Sequence, residues 1–234
     1  MAQEDLLPLY EQVRRKLLSE IEAGRLAEGS FLPSEFDLCA KYGVSRITLR
    51  RAVAELCAEG RLVRQQGRGT LVAPRKVQQT ISLSGFSDVI EGQGHKAGHR
   101  VLECEENATS PTTAARLQAT RLYRFVRLLE MNDQPMTLEN LYVDAERFAD
   151  VLEPVTAGGS FFASLRSAYG AEPASAERQI DVGFARADEA GVLGVSTTQP
   201  VYRIEKLVFD RAGLPLALSQ TVTPCHLVTL AVNN

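Results

Sequence analysis

The chain lacks any apolar run approaching the roughly 18 residues that a membrane helix needs. It also lacks the basic-then-apolar order of a secretory signal, since its first residues, MAQEDLLPLYEQ, are acidic. Cysteine is scarce: Cys39, Cys57, Cys104 and Cys225 lie far apart with no CxxC pair. This argues against a disulfide framework and a zinc ribbon, and a reducing cytoplasm is the expected setting. No GxSxG, HExxH or P-loop occurs, so the common hydrolase, metalloprotease and nucleotide signatures are missing. His95 and His99 stand four apart with Cys104 nearby, but Gly92, Gly94 and Gly98 interleave them and break any helix that would align them. No metal and no other cofactor is expected.

What is present is ordinary globular composition, 44% hydrophobic and 24% charged over 234 residues, enough for two small domains. The formal net charge of −3 is unevenly spread. From Lys41 to Lys76 there are nine cations against two carboxylates, Glu55 and Glu59, which leaves +7 over 36 residues and −10 for the rest. A basic block on an acidic chain is the footprint of a polyanion partner.

The local pattern around that block is specific. Tyr10, Val13, Leu17 and Ile21 form the stripe of an amphipathic helix, with Pro8 at its start and Gly24 at its end. Ser34 caps a second helix with Asp37 three residues on, Leu38 and Tyr42 facing inward and Gly43 ending it. Gly43-Val44-Ser45 then turns into a third helix, Arg46 to about Glu59, which buries Leu49, Val53 and Leu56. Two short helices joined by a tight turn read as a helix-turn-helix. Arg46 and Arg50 are one turn apart on the third helix, with Thr48 near the same end and Arg51 flanking. This is the end that enters a major groove, where arginine pairs with guanine or phosphate. Two strand-like runs, Leu62–Gln65 and Thr70–Val72, flank Gln66-Gly67-Arg68-Gly69, a basic hairpin tip or wing that places Gln66 and Arg68 near the minor groove or its phosphates.

The segment LPSEFDLCAKYGVSRITLRRAVAELCAEGRLVRQQGRGTLV closely resembles the winged helix of GntR-type bacterial transcription regulators, over about residues 8–73. That resemblance implies DNA contacts from Ser45, Arg46, Thr48 and Arg50 on the recognition helix and from Gln66 and Gly67 on the wing. Many members place a DNA-contacting arginine or polar residue where this chain has Phe36, whose ring is expected to pack instead.

Residues 74–80 show no apolar periodicity and read as a linker between a domain at 1–73 and another at 81–234. The second domain contains an internal repeat. Leu122 to Val143 and Val201 to Thr223 both run strand, polar turn, proline, strand, as β-hairpins do. Each follows a helix (Pro111–Leu117, Arg186–Leu193), and each helix follows a strand (Arg100–Glu105, Gln179–Phe184). Two such units predict an α+β domain, one antiparallel sheet of about six strands with helices on one side and a ligand cleft between the halves. A further helix is expected near Phe161–Tyr169. On the hairpin, Arg127 shares a strand face with Tyr123, Phe125 and Leu129. A cation there needs a partner, either an internal carboxylate such as Glu139 or an anionic ligand.

From about Phe86 to Thr223 the chain also resembles the UTRA effector domain of the HutC subfamily, a fold related to chorismate lyase. Phe86-Ser87, YRFVRL, VYRIEKL and LGV at Leu193 to Val195 carry the likeness. It implies a homodimer that binds a small metabolite, with contact positions falling on Ser87, Arg127, Glu139 and Ser160. Leu129 replaces a second arginine of phosphosugar-binding relatives, and Leu216-Ala217-Leu218 an acidic position, so the expected effector is a carboxylate or other small anion with an apolar part. Lys206 is the repeat counterpart of Arg127.

The expected function is a metabolite-responsive repressor that binds double-stranded operator DNA as a homodimer. The alternative is an enzyme of chorismate-lyase type with a nucleic-acid tether, for which the winged helix would have no use. The basic block predicts that a dimer neutralising roughly six to ten phosphates loses about 10³–10⁵ in affinity between about 50 and 200 mM salt, which titration at fixed temperature measures. No selectivity over random DNA at any salt would refute the regulator reading.

Overall fold

The computed structural model describes residues 7–65, 67, 69–73, 76–80, 83 and 85–231. The chain divides into two compact units, Met1–Lys76 and Val77–Asn234.

In the first unit, α1 (Leu9–Glu22), α2 (Glu35–Tyr42) and α3 (Arg46–Ala58) precede a hairpin of β1 (Leu62–Gln65) and β2 (Gly69–Val72). The Ser34 and Ser45 hydroxyls cap α2 and α3, accepting the backbone N–H of Asp37 and of Thr48, each at 3.2 Å. Gly43 ends α2 at φ 65°, the left-handed stop that glycine adopts without a Cβ penalty. Inside, Val13 and Leu17 of α1 meet Leu38, Leu49, Ala52, Val53 and Leu56, and Leu62 and Val72 of the hairpin close the cluster. Each fully buried leucine contributes roughly 1.5–3 kcal/mol, so this stripe-to-stripe contact fixes the attitude of α3. A single bridge from Phe31 to Leu71 adds a strand-like contact to the hairpin that periodicity gave no sign of.

The second unit runs β3 (Val77–Thr80), α4 (Phe86–Glu91), β4 (Ala97–Glu105), α5 (Pro111–Leu117), β5 (Leu122–Met131) and β6 (Gln134–Asp144). After a 3-10 turn at Ala149–Val151 come α6 (Leu152–Thr156), α7 (Phe161–Tyr169), β7 (Ser175–Phe184), α8 (Ala187–Leu193), β8 (Pro200–Phe209), β9 (Pro215–Pro224) and β10 (Val228–Ala231). Six strands form one antiparallel sheet in the order β4-β5-β6-β9-β8-β7. The two copies of the repeat meet at β6 and β9. There Leu138 pairs with Val222 and Tyr142 with Leu218, so the register maps onto itself when the copies are exchanged, with Asn140 opposite Gln220 at the centre.

Two expectations are corrected. The helices lie on both faces of the sheet rather than on one. On one face α5 sets Leu117 against Leu122, Leu207 and Leu218, and α8 sets Leu193 against Leu128, Leu138 and Val222. On the other, Val155, Phe161 and Leu165 cover Tyr123, Phe125, Leu141 and Val208. An amphipathic segment reports that it covers a sheet, not which face. The expected linker also ends early: Val77–Thr80 is a strand, paired in parallel with Val228–Ala231. Its partner lies at the far end of the unit, beyond the reach of any local pattern.

Gly158 occupies φ 87°, and a Cβ there would stand 2.7 Å from the His99 carbonyl oxygen, whereas Gly213, at φ 78°, has open space around it. Gly213→Ala is therefore expected to cost about 1–2 kcal/mol for its backbone alone. Gly158→Ala should cost roughly 1–3 kcal/mol more, because a backbone carbonyl cannot swing aside. Thermal denaturation of the two variants compares them; equal melting would show that the 158 turn relaxes.

Candidate functional site

The first unit presents one outward face of α3. Away from the buried Leu49, Val53 and Leu56, the exposed residues are Arg46, Ile47, Arg50, Arg51, Ala54, Glu55 and Ala58. The Ser45 hydroxyl, besides capping the helix, shares a hydrogen bond with the Thr48 hydroxyl at 2.9 Å, so both fix the helix end as well as facing outward. Arg50 grips Glu35, at the start of α2, in a two-pronged ion pair with Nε–Oε1 and Nη2–Oε2 both 2.9 Å. The Glu35 carboxyl is held below the usual range first by that hydrogen bond and then by the charges of Arg50, Arg46 and Arg64. Arg46 makes no ion pair among the described residues. The Arg51 guanidinium carbon stands over the Tyr10 ring, 3.8 Å from its centre. Lys41 and Arg61 are held by Glu20 and Glu22 of α1 at 2.7 and 2.8 Å, which removes two cations of the basic block from outward use. Gly67 turns the hairpin at φ 73°, and Gln66 and Arg68 lie outside the described residues.

Phe36 corrects its expectation. Its ring does not pack: the residue is 71% exposed, because Leu38, with Cys39 and Tyr42, takes the inward side of this short helix and Phe36 falls opposite Leu38.

In the second unit, one face of the sheet is closed over by α4, α7 and β10 to leave a cavity. Arg127, Glu139 and Ser160 line it. Ser87 stands behind, buried, its hydroxyl sharing a hydrogen bond with His99 Nε2 at 3.1 Å, and His99 lines the cavity. The two partners weighed for Arg127 are not exclusive. Its Nε donates to Glu139 Oε2 at 2.9 Å and its Nη2 to the same oxygen, while Ser219 donates to Glu139 Oε1 at 2.7 Å. Nη1 remains, buried and without a hydrogen-bond partner among the described residues.

The other half of the repeat adds cations. Lys206 of β8 pairs in register with Arg178 of β7 and with Ser219 of β9, and both cations line the cavity. Lys206 makes no ion pair among the described residues; its Nζ lies 5.5 Å from the Phe162 ring centre. Burial pushes the Lys206 ammonium down, the Glu139 charge opposes this and the Arg178 charge adds to it. Burial likewise lowers Arg178. His99 is pushed below the usual imidazole range by burial and then by the Arg127 charge, against the pull of Glu139, so it is neutral at pH 7. Burial alone would raise Glu139, but Arg127 and Ser219 outweigh it and keep the carboxylate ionised. The apolar walls come from Phe86, Leu129, Phe162 and Ile204.

His99, weighed in the sequence only as a metal ligand, and Arg178 escaped the reading as cavity residues for one reason. The strands expected at Arg100–Glu105 and Gln179–Phe184 begin at Ala97 and Ser175. The extra residues put His99 opposite Leu129 and Arg178 opposite Lys206, on the cavity face. Extending each period-two pattern to the preceding turn would have found both.

The opposite face carries a second, polar groove beside α8, in which the cations are paired while Asp181 and Asp188 make no ion pair among the described residues. Glu189 accepts from Arg203 at 2.7 and 2.8 Å, Glu205 from Arg116, and Arg124 reaches Asn140 at 2.9 Å.

Removing Arg127 would leave Glu139 buried with Ser219 alone. Arg127→Met is expected to cost about 3–5 kcal/mol, and the double change Arg127→Met with Glu139→Leu to recover most of it. Denaturant midpoints of the two proteins decide, and an unrecovered double variant would mean that the arginine acts through packing.

Residues 9–72 match the pattern of the "Bacterial regulatory proteins, gntR family", and residues 92–226 that of the "UTRA domain". The chain is 30% identical, over 97% of its length and 94% of the relative's, to the Escherichia coli K12 "Probable fructoselysine utilization operon transcriptional repressor". It is 28% identical, over 92% of its length and 90% of the relative's, to the Bacillus subtilis "HTH-type transcriptional repressor NagR". The crystal structure of PhnF from Mycobacterium smegmatis has the same fold, with TM-score 0.66 and 23% identity over 95% of this chain and 98% of that one.

Proposed function

We propose, from the premise that this chain belongs to the gntR family and, through its UTRA domain, to the HutC subfamily, that it represses transcription under the control of a small anion. It is a DNA-binding transcription regulator with an effector domain and not an enzyme; its relatives are regulators, which removes the chorismate-lyase alternative. The sign of regulation is supported by the names of the two relatives, both repressors. A cytoplasmic setting follows from the same role, and among the described residues no helix is long and apolar enough to cross a membrane.

The observation that carries the effector reading is the excess of cations over acids lining the cavity, where Arg127, Arg178 and Lys206 face the single carboxylate of Glu139. Arg127 keeps one N–H group unused, and Lys206 has no carboxylate of its own. Unmatched buried positive charge is costly, and an anion in the cavity offsets it. The walls of Phe86, Leu129 and Phe162 suit an apolar part beside the charged one. Arg178 and Lys206 also supply the second cationic side that Leu129 appeared to remove, so phosphate monoesters stand beside carboxylates as candidates. Ser45, Arg46, Thr48, Arg50 and the wing residues Gln66, Gly67 and Arg68 make up the proposed DNA contacts, and Ser87, Arg127, Glu139 and Ser160, with His99 and Lys206 added, the proposed effector site.

A homodimer is supported by the edge strand β7, which exposes Ile180, Val182 and Phe184, at 38%, 68% and 65%, beside unpaired backbone groups. A second copy of this strand is the matching occupant for such an edge, and twofold symmetry suits two operator half-sites.

An effector that releases DNA binds the DNA-bound protein less tightly by the same factor. Full-length protein on its operator, titrated with alkyl and aryl carboxylates, dicarboxylates and phosphate monoesters, should be released by one class. In Lys206→Met that response should weaken at least about tenfold, roughly the worth of one charge-assisted hydrogen bond, with operator affinity unchanged. Release of both proteins at the same concentration would defeat the anion reading.

A further inference from the structure

The DNA-binding face carries two large apolar side chains that its core does not use. Ile47 is 82% exposed and Phe36 71% exposed. Ile47 is the second residue of α3 and lies, viewed down the helix axis, between Arg50 and Arg51, opposite Leu49, Val53 and Leu56. Phe36 follows Glu35, and the Glu35–Arg50 ion pair ties that first turn of α2 to the same side of α3. Ile47 thus stands among Arg46, Arg50 and Arg51 in the basic block, and Phe36, between Glu35 and Asp37 in the sequence, is brought to them by the Glu35–Arg50 pair.

Single exposed apolar residues are common and need no explanation. These two differ in position. A face that meets a polyanion presses its charged residues to phosphates and base edges, and whatever stands between them is pressed to the groove floor. Polar base edges offer isoleucine and phenylalanine nothing, but the 5-methyl group of thymine is an apolar partner in the major groove. We propose that Phe36 and Ile47 read thymine by contact with its 5-methyl group, so that each operator half-site contains a thymine at the two positions they cover. Where relatives of this winged helix carry arginine in place of Phe36, the corresponding base would be guanine. The surrounding arginines select DNA over an apolar protein partner, which would meet Arg46 and Arg51, neither of them in an ion pair among the described residues. The inference rests on the DNA-binding role of this face.

The test uses full-length protein and duplexes enriched from a random pool on it. Each thymine of the enriched site is replaced singly by deoxyuridine, which removes the methyl group and keeps every hydrogen-bonding edge. The wild-type protein is expected to bind about three- to five-fold more weakly at one or two positions per half-site, the loss expected for one buried methyl. Phe36→Ala should lose that sensitivity at one position and Ile47→Ala at another, each keeping the other's, as a double-mutant cycle requires. Both residues are surface residues of α2 and α3, so the variants keep their fold. Phe36→Arg, enriched in the same way, should exchange thymine for guanine at its position. Selective binding with no deoxyuridine-sensitive position, or sensitivity that persists in both alanine variants, overturns the proposal and leaves the regulator standing. Failure to enrich any sequence overturns both.

Discussion

One buried carboxylate sets the electrostatics of the effector domain. Glu139 sits in the middle of the sheet, holding Arg127 with one oxygen and accepting from Ser219 with the other, and its charge is the one that offsets the desolvation of Lys206. Its position in the repeat explains this. Arg127 and Lys206 occupy matching places in the two copies, and so do Glu139 and Ser219. One copy has kept an acid for its cation, while the other has a hydroxyl that bonds the first copy's acid. A single negative charge therefore serves both halves, and the pseudo-symmetric sheet becomes electrically lopsided at the place where the cavity forms. The neutral His99 at the edge does not change that balance.

The opposite face shows how the same scaffold behaves when its cations have partners. There Arg203 has Glu189 and Arg116 has Glu205. The Glu189 carboxyl is held at about 2: burial would raise it, but hydrogen bonds from Arg203 and the Arg186 backbone dominate. That pairing contributes stability that is complete above the ordinary carboxylate range near 4.5 and is lost as pH falls toward about 2. Arg124, Arg186 and Arg203 of that groove all have carboxylates, so it offers an anion no unmatched cation.

How much of this was legible depended on range. In the winged helix the deciding contacts are local. Ser34 caps three residues ahead, Gly43 stops a helix, and Leu49, Val53 and Leu56 repeat at helical spacing, so the segments could be placed from the sequence within a residue or two. The six strands were legible in kind because period-two alternation survives in both repeats, although the first residues of β4 and β7 were not, and His99 and Arg178 lie there. Three features depended on tertiary context: which face each helix covers, the pairing of Val77–Thr80 with Val228–Ala231, and the outward position of Phe36. The last turns on how small an area α2 buries: Leu38, Cys39 and Tyr42 fill its inward side, and an aromatic at the second position has nowhere to pack.

The parallel pairing of β3 with β10 also orders events in time. The winged unit is complete once Lys76 has been made, and its core contains no residue from later in the chain. The effector domain cannot zip its first strand until Val228–Ala231 has been synthesised, and Leu230, which lines the cavity, comes with that last strand. At bacterial rates of about 5–20 residues per second, the interval is roughly 10–30 s. During it a nascent chain carries a finished DNA-binding face and an unfinished sensor. Such a chain has the means to recognise DNA before it has any means of responding to a metabolite.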